Sequence, residues 1–250
     1  IQDADANKEK LAAALKKAAD ADLLVPLGTT AAITAAKQEK ERPVVFGLVF
    51  DPIESGIAKS WESSGNNTTG AAAFVSIPRF LRRVEEFVPI KRLAVVYQPS
   101  TKNSELQFES VKSAKLKAEI IAVAVNDAKE IPGLIAKLEG KADAVYLAAG
   151  SMISPTVGKS IESLTKMKIL TLAHIEDYVE QGALIGLGVD QSKVGTLLGK
   201  KVAAVMRKGK PADIKIEYPA PELTLNAKTA ATMGFEFPTG LKHWAAKAVE

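Results

Sequence analysis

The 250-residue sequence predicts an α/β protein made of two doubly wound parallel-sheet lobes joined by hinge strands. Seven short apolar runs have strand length and little alternation, the mark of strands covered on both faces. Helix-period segments separate most of them, and repeated strand–helix alternation requires a parallel sheet with right-handed crossovers. The alternation breaks and restarts, which splits one long series into two.

The first residues, IQDADAN, are polar and lead into an amphipathic helix at about 8–20. Neither an initiating Met, a signal peptide nor a first strand precedes that helix, so the expectation is a mature fragment without its natural beginning. The run 22–27 (DLLVPL) reads as a strand, and Gly28-Thr29-Thr30 opens an alanine-rich helix over 29–40. A second strand, 43–50 (PVVFGLVF), ends in FDPIESG, and GNNTTG at 65–70 reads as a turn. Stretch 71–90 closes the first series with Pro78 and a helix. RLAVVY at 92–97 then restarts the pattern, with strands at 119–125, 143–148, 168–173 and 183–189. Helices are predicted between them at 103–118, 129–139 and 154–166, and a long one at 191–208. The tail is of another kind: IKIEYPAPELTLN reads as short strands interrupted by prolines, and KHWAAKAVE as helical. Residues 1–76 plus 190–250 form the first predicted lobe and 77–189 the second, with crossings near 76 and 189.

Composition excludes several classes. With 47% hydrophobic and 25% charged residues the chain has an ordinary globular balance. Its net charge of +4 is scattered, without the block of Lys and Arg that would track phosphates, so no nucleic-acid partner is expected. Cysteine is absent, which removes thiol catalysis, disulfides and cysteine-bound metal. No stretch approaches the roughly 20 apolar residues of a bilayer span.

Strands of a parallel sheet exit toward one edge, and ligands of open α/β sheets sit outside that edge. The exit loops are therefore the candidate site. They hold small polar residues: Thr29 and Thr30, Asn67 to Thr69, Ser100 to Ser104, and Ser151 with Ser154. Hydroxyls and free helix-start N–H groups suit a carboxylate or a carbonyl that is held without a bond being made. Taken alone, each of Thr30, Asn103 and Ser154 reads more readily as a plain helix N-cap than as a ligand contact, so the case rests on convergence at one edge.

Reactive equipment is scarce. LGTTAAITAAK lacks the second Gly and the Lys of a phosphate loop, and no G-x-G-x-x-G follows a strand, so neither a nucleotide nor any other cofactor is expected. His174 stands beside Glu176 and Asp177, which could form a metal or acid–base site, but the spacing matches no H-x-x-x-H pattern. His243 reads as an exposed residue of the tail. A G-x-S-x-G elbow is missing, and no catalytic residue is assigned. Trp61 is either a surface residue or a lid on a ligand, and Phe50, Phe74 and Tyr97 offer an apolar wall.

Taken in order, GTTAA, PVVFGLVFDPIESGIAKSWESSGNNTTG, RLAVVYQPSTKNS, ADAVYLAAGSMI and VEQGALIGLGVDQSKVGTLLGKKVAAVMRKGKPADI resemble the extracytoplasmic substrate-binding proteins of ABC importers. The branch concerned includes tryptophan- and tyrosine-binding members. The DP…GNxTG block, here Asp51-Pro52, Gly56 and Gly65 to Gly70, carries most of the likeness. The resemblance implies a type I periplasmic-binding-protein-like fold without its first strand–helix unit, and a small ligand held in a cleft between the lobes. It further implies a membrane permease as partner and a periplasmic or cell-surface lipoprotein location. Carried over as ligand-binding are Thr29, Thr30, Asp51, Thr69, Ser100, Asn103, Gly150, Ser151, Glu176, Asp177 and Asp190. Amino-acid-binding relatives tend to have an acidic residue and Asn where this chain has Gly150 and Ser151, so a ligand ammonium is expected to find Asp51, Asp177 or Asp190. Two other readings use the same architecture: the effector-binding core of a transcription regulator, and an enzyme on a doubly wound sheet.

Overall fold

The structure, a computed structural model, describes residues 8–249. The polar lead-in at 1–7 lies outside the described residues. The chain divides into two compact units, one of residues 1–74 and 189–220, the other of residues 75–188 and 221–250.

In the first unit, helix α1 (Lys8–Lys17) and helix α2 (Thr29–Gln38) precede strand β1 (Val44–Val49) and strand β2 (Thr68–Ala72). β1 and β2 are parallel. The run 22–27 does not form a full strand; it touches β1 through two parallel bridges, Leu24 to Val44 and Leu27 to Gly47. On the far side, Ala71 bridges Glu217 in parallel. β2 corrects the sequence reading, which made Thr68 and Thr69 part of a turn. Its TTGAA sequence has weak strand propensity, yet all five residues are buried, so burial between neighbours outweighs propensity. Helix α8 (Gln191–Met206) packs on β1 and β2 through a buried stripe of Val194, Lys201 and Val205. Lys201 Nζ is ion-paired with Glu217, which holds the 217 segment to the helix. Phe46, Val49, Ile57 and Ile216 form the core.

The second unit holds a seven-stranded sheet. Its members are β3 (Arg92–Tyr97), β4 (Glu119–Ala124), β5 (Ala144–Leu147), β6 (Leu170–Ala173), β7 (Ile185–Gly188), β8 (Glu222–Asn226) and β9 (Lys247–Val249). The order is β4-β3-β5-β6-β7-β8-β9. β3 to β7 are mutually parallel, as the alternation predicts. Helices α3 (Ile77–Phe87), α4 (Lys102–Ser113), α5 (Ile131–Ala136), α6 (Val157–Lys166) and α7 (Glu176–Glu180) connect or flank them. Val96, Val145, Leu147, Ile161 and Val179 sit in a continuous core.

The tail departs from expectation. Residues 221–250 were expected in the first lobe, but β8 pairs antiparallel with β7 and so belongs to the second unit. Asn226 then caps helix α9 (Ala227–Met233) through its Oδ1 and donates Nδ2 to Val179 O, so both ends of its amide are satisfied. Helix α10 (Thr239–Trp244) places Trp244 beside Phe80, and the predicted helical end becomes β9, parallel to β8. Leu223, Leu225 and Phe237 are buried; these apolar residues drive the tail onto the sheet. The chain thus passes between units three times, after Phe74, Gly188 and Ala220.

Candidate functional site

In the second unit the strand order reverses between β3 and β5, because the first strand of the series pairs on one side with the second and on the other with the third. In open α/β sheets such a switch point, at the carboxyl ends of the two strands, is where ligands bind. Four predicted residues meet there: Ser100 and Asn103 after β3, Gly150 and Ser151 after β5. Ser100 and Ser151 are exposed, Asn103 and Gly150 half-buried.

Two glutamines that the sequence reading passed over organise this place. Gln98 is buried, and its Nε2 donates to Ser100 Oγ at 3.0 Å and Ser151 Oγ at 3.3 Å. Its Oε1 accepts the Met152 N–H at 3.1 Å. Gln107, also buried, accepts the Ala149 N–H at 2.7 Å. A Cβ on residue 150 would come within 2.8 Å of Gln98 Oε1, which accounts for glycine there. Ser104 Oγ accepts the Gln98 N–H at 2.8 Å. One signal would have found Gln107: it lies four residues after Asn103 and four before the buried Val111, on the helix stripe that faces the sheet.

After β6, the next strand beyond β5, Glu176 and Asp177 form the first turn of α7. Glu176 is held by Lys247 Nζ at 2.7 Å, whereas Asp177 is exposed. His174, at the end of β6, faces inward: its Nδ1 meets Tyr146 Oη at 2.8 Å. Burial lowers its pKa to about 4, so the ring is neutral near pH 7. Ser154 Oγ and Tyr178 Oη lie 2.7 Å apart, and burial pushes the Tyr178 hydroxyl up to about 12. Among the described residues no cluster of three or more His, Cys, Asp or Glu is placed to hold a metal.

In the first unit, Gly28 adopts φ 86°, a left-handed turn that glycine tolerates, and α2 starts at Thr29. Thr29 is buried and its Oγ1 accepts the Phe50 N–H at 3.3 Å, tying the helix start to the exit of β1. Thr30 is half-buried beside it. Asp51 accepts the N–H groups of Ile53 and Glu54 at 2.9 and 3.0 Å, and burial nonetheless raises its pKa. Thr29, Thr30 and Asp51 therefore share one edge.

The remaining two have structural partners. Thr69 is fully buried and donates its hydroxyl to Ile214 O at 2.8 Å. Asp190 caps α8, accepting Ser192 N–H at 2.8 Å and Ser192 Oγ–H at 2.6 Å; that hydroxyl, then the Lys193 N–H, hold its carboxyl below the usual range. None of Thr30, Asn103 and Ser154, which read as possible caps, is one: Gly28, Thr101 and Ile153 precede those helices or turns. Trp61 packs within the first unit on Phe74 and Tyr218, at 5.1 and 4.9 Å between ring centroids. Tyr97 stacks on Phe108 at 4.1 Å. A recess of about 350 Å³ lined by Leu225, Phe237, Lys242 and Lys247 lies where the antiparallel β8 ends, opposite the exits of β3 to β7.

The family model for ABC transporter substrate binding proteins matches residues 1–249. The chain belongs to that family. The chain is 29% identical over 198 residues to a tyrosine-binding protein of Clostridioides difficile. That match takes in 78% of the chain but 57% of the relative, so the chain spans little more than half of the curated relative's length. It is similar to the solved ABC domain in complex with L-Trp from Streptococcus pneumonia, at 25% identity and a TM-score of 0.88 over 97% of this chain and 84% of that one. A conserved domain protein from Vibrio cholerae, at 22% identity, has a TM-score of 0.86 over 96% and 82% of the two chains, a likeness of fold. As a family these are substrate-binding rather than catalytic proteins.

Proposed function

We propose that this chain binds a small organic solute with a carboxylate, an aromatic amino acid of the tryptophan and tyrosine kind, and releases it unchanged to the permease of an ABC importer. One observation carries the reading: Gln98, Ser100, Asn103 and Ser151 converge with the start of α4 at the switch point between β3 and β5. A helix start favours an anion by about 0.3–1 kcal/mol when exposed and up to about 2 when partly buried. On this reading Ser100, Asn103, Gly150 and Ser151 contact the solute, with Asp177 of the same unit supplying a further polar contact, while Thr30 and Asp51 are the polar candidates at the exits of the first unit. Thr29 and Glu176 hold the loops that carry Asp51 and Asp177, whereas Thr69 bonds Ile214 and Asp190 caps α8.

Support comes from family membership and from the printed ligands of the two relatives, tyrosine and L-Trp. His174 is buried against Tyr146, and burial makes its ring a weaker base. The effector-binding core of a regulator has less support, since the matching family is one of transport proteins. An extracytoplasmic place follows from the family's usual location; no described helix is long and apolar enough to cross a membrane.

The test is a thermal-shift screen of unfolded and refolded protein against amino acids, aromatic acids, small peptides and sugars. A ligand that binds only the folded state raises stability with the logarithm of its concentration over Kd. A rise of several degrees confined to aromatic amino acids is expected. A rise confined to sugars or peptides would replace the proposed solute class.

A further inference from the structure

The buried face of α4 holds a polar group that the contacts above leave unused. Gln107 Oε1 accepts the Ala149 N–H at 2.7 Å. That bond settles the orientation of the amide: its carbonyl end meets a donor, so its other end is the NH2 and can only donate. Nε2 is buried and, among the described residues, has no hydrogen-bond partner. One turn earlier Asn103 Oδ1 is also buried without a partner among those residues.

Residues four apart share a helix face, and helical side chains lean toward the N-terminus. The Gln107 amide is thereby carried back toward the first turn of α4, whose N–H groups at 102 to 104 have no acceptor within the helix. A buried N–H without an acceptor is disfavoured, and it is tolerated where the acceptor arrives with something else. Next to a helix start, the acceptor that this place favours is an anion. The orphan pair, one donor and one acceptor, matches the carboxylate and ammonium of an α-amino acid.

We propose that Gln107 Nε2 donates to the carboxylate of the bound solute, and that this residue selects amino acids over the corresponding decarboxylated amines. The inference rests on the solute-binding reading above. Ala149 supplies the complementary half of the device: its N–H locks the amide so that the donor edge cannot flip into an acceptor.

Gln107→Glu is the sharpest test, because a carboxylate still accepts the Ala149 N–H but presents an acceptor where the amide presented a donor. Gln107→Leu serves if the buried charge unfolds the protein. Refolded wild type and variants are titrated calorimetrically with L-tryptophan and L-tyrosine, and by competition with tryptamine and tyramine, near neutral pH. Wild type is expected to prefer the amino acids. Each folded variant is expected to lose about tenfold or more for the amino acids and less than about threefold for the amines. Equal losses for both ligand classes would mean that Gln107 only holds Ala149, and an unchanged preference would likewise overturn the proposal while leaving the solute-binding reading intact. Wild type that binds none of the four compounds would overturn the aromatic amino acid reading itself, and this inference with it.

Discussion

His174 occupies the place where a sequence reader looks first for chemistry, at a strand exit with Glu176 and Asp177 following. Its environment argues otherwise. The imidazole meets Tyr146 Oη at 2.8 Å, and burial takes its pKa from 6.5 to about 4. An unfolded chain therefore binds the proton more tightly than the folded one, so the stabilisation is complete above about pH 6.5 and is lost as pH falls toward 4. A shift of that size corresponds to about 3 kcal/mol in all. His174→Phe should flatten this part of the stability profile, read by urea unfolding at a series of pH values. Parallel profiles for wild type and variant would show that other groups govern the acid limb. At this scale the polar exits of the candidate site were legible: Ser100, Asn103 and Ser151 are small polar residues that follow strands. Gln98 was not, and Gln107 only as a position on the buried stripe of α4, since their roles come from the N–H groups of Met152 and Ala149, over forty positions away in sequence.

Among the elements, α8 shows how a candidate ligand residue can be a helix cap. Asp190 accepts the N–H groups of Ser192 and Lys193, which the helix itself leaves without acceptors. Asp190→Ala should lower the melting temperature by roughly 2–4 °C, with Asp190→Asn recovering most of it, as scanning calorimetry would show. A tenfold loss of solute affinity with no change in melting temperature would instead return Asp190 to the binding set. Strands β1 and β3 to β7 were legible because their apolar runs are short, bounded and unalternating. β2 was not: Thr68–Ala72 has the small residues of a loop, and only its fully buried position makes it a strand. DLLVPL shows the reverse, a strand-like run that achieves only two bridges to β1.

For the whole molecule, the decisive departure is the return of the tail to the second unit. β8 pairs with β7 along four residue pairs, Ile185 to Gly188 against Leu225 to Glu222. A chain ended at residue 220 would leave β7 as a bare edge and uncover the apolar surface that Leu223 and Leu225 protect. Hydrogen exchange should then show lost protection over Ile185–Gly188 and its neighbours, while β1 and β2 stay protected. Retained protection at β7 would show that the second unit is stable without its tail. The alternation of strand and helix, the parallel direction of β3 to β7 and the polar exits were determined by the sequence alone, because hydrophobic period and chain direction are local properties. Which way β8 runs, and which exit groups are left with an unpartnered donor or acceptor, only the tertiary structure decided. Both depend on partners remote along the chain, as Thr69 is from Ile214, 145 residues away, and local pattern carries no record of such meetings.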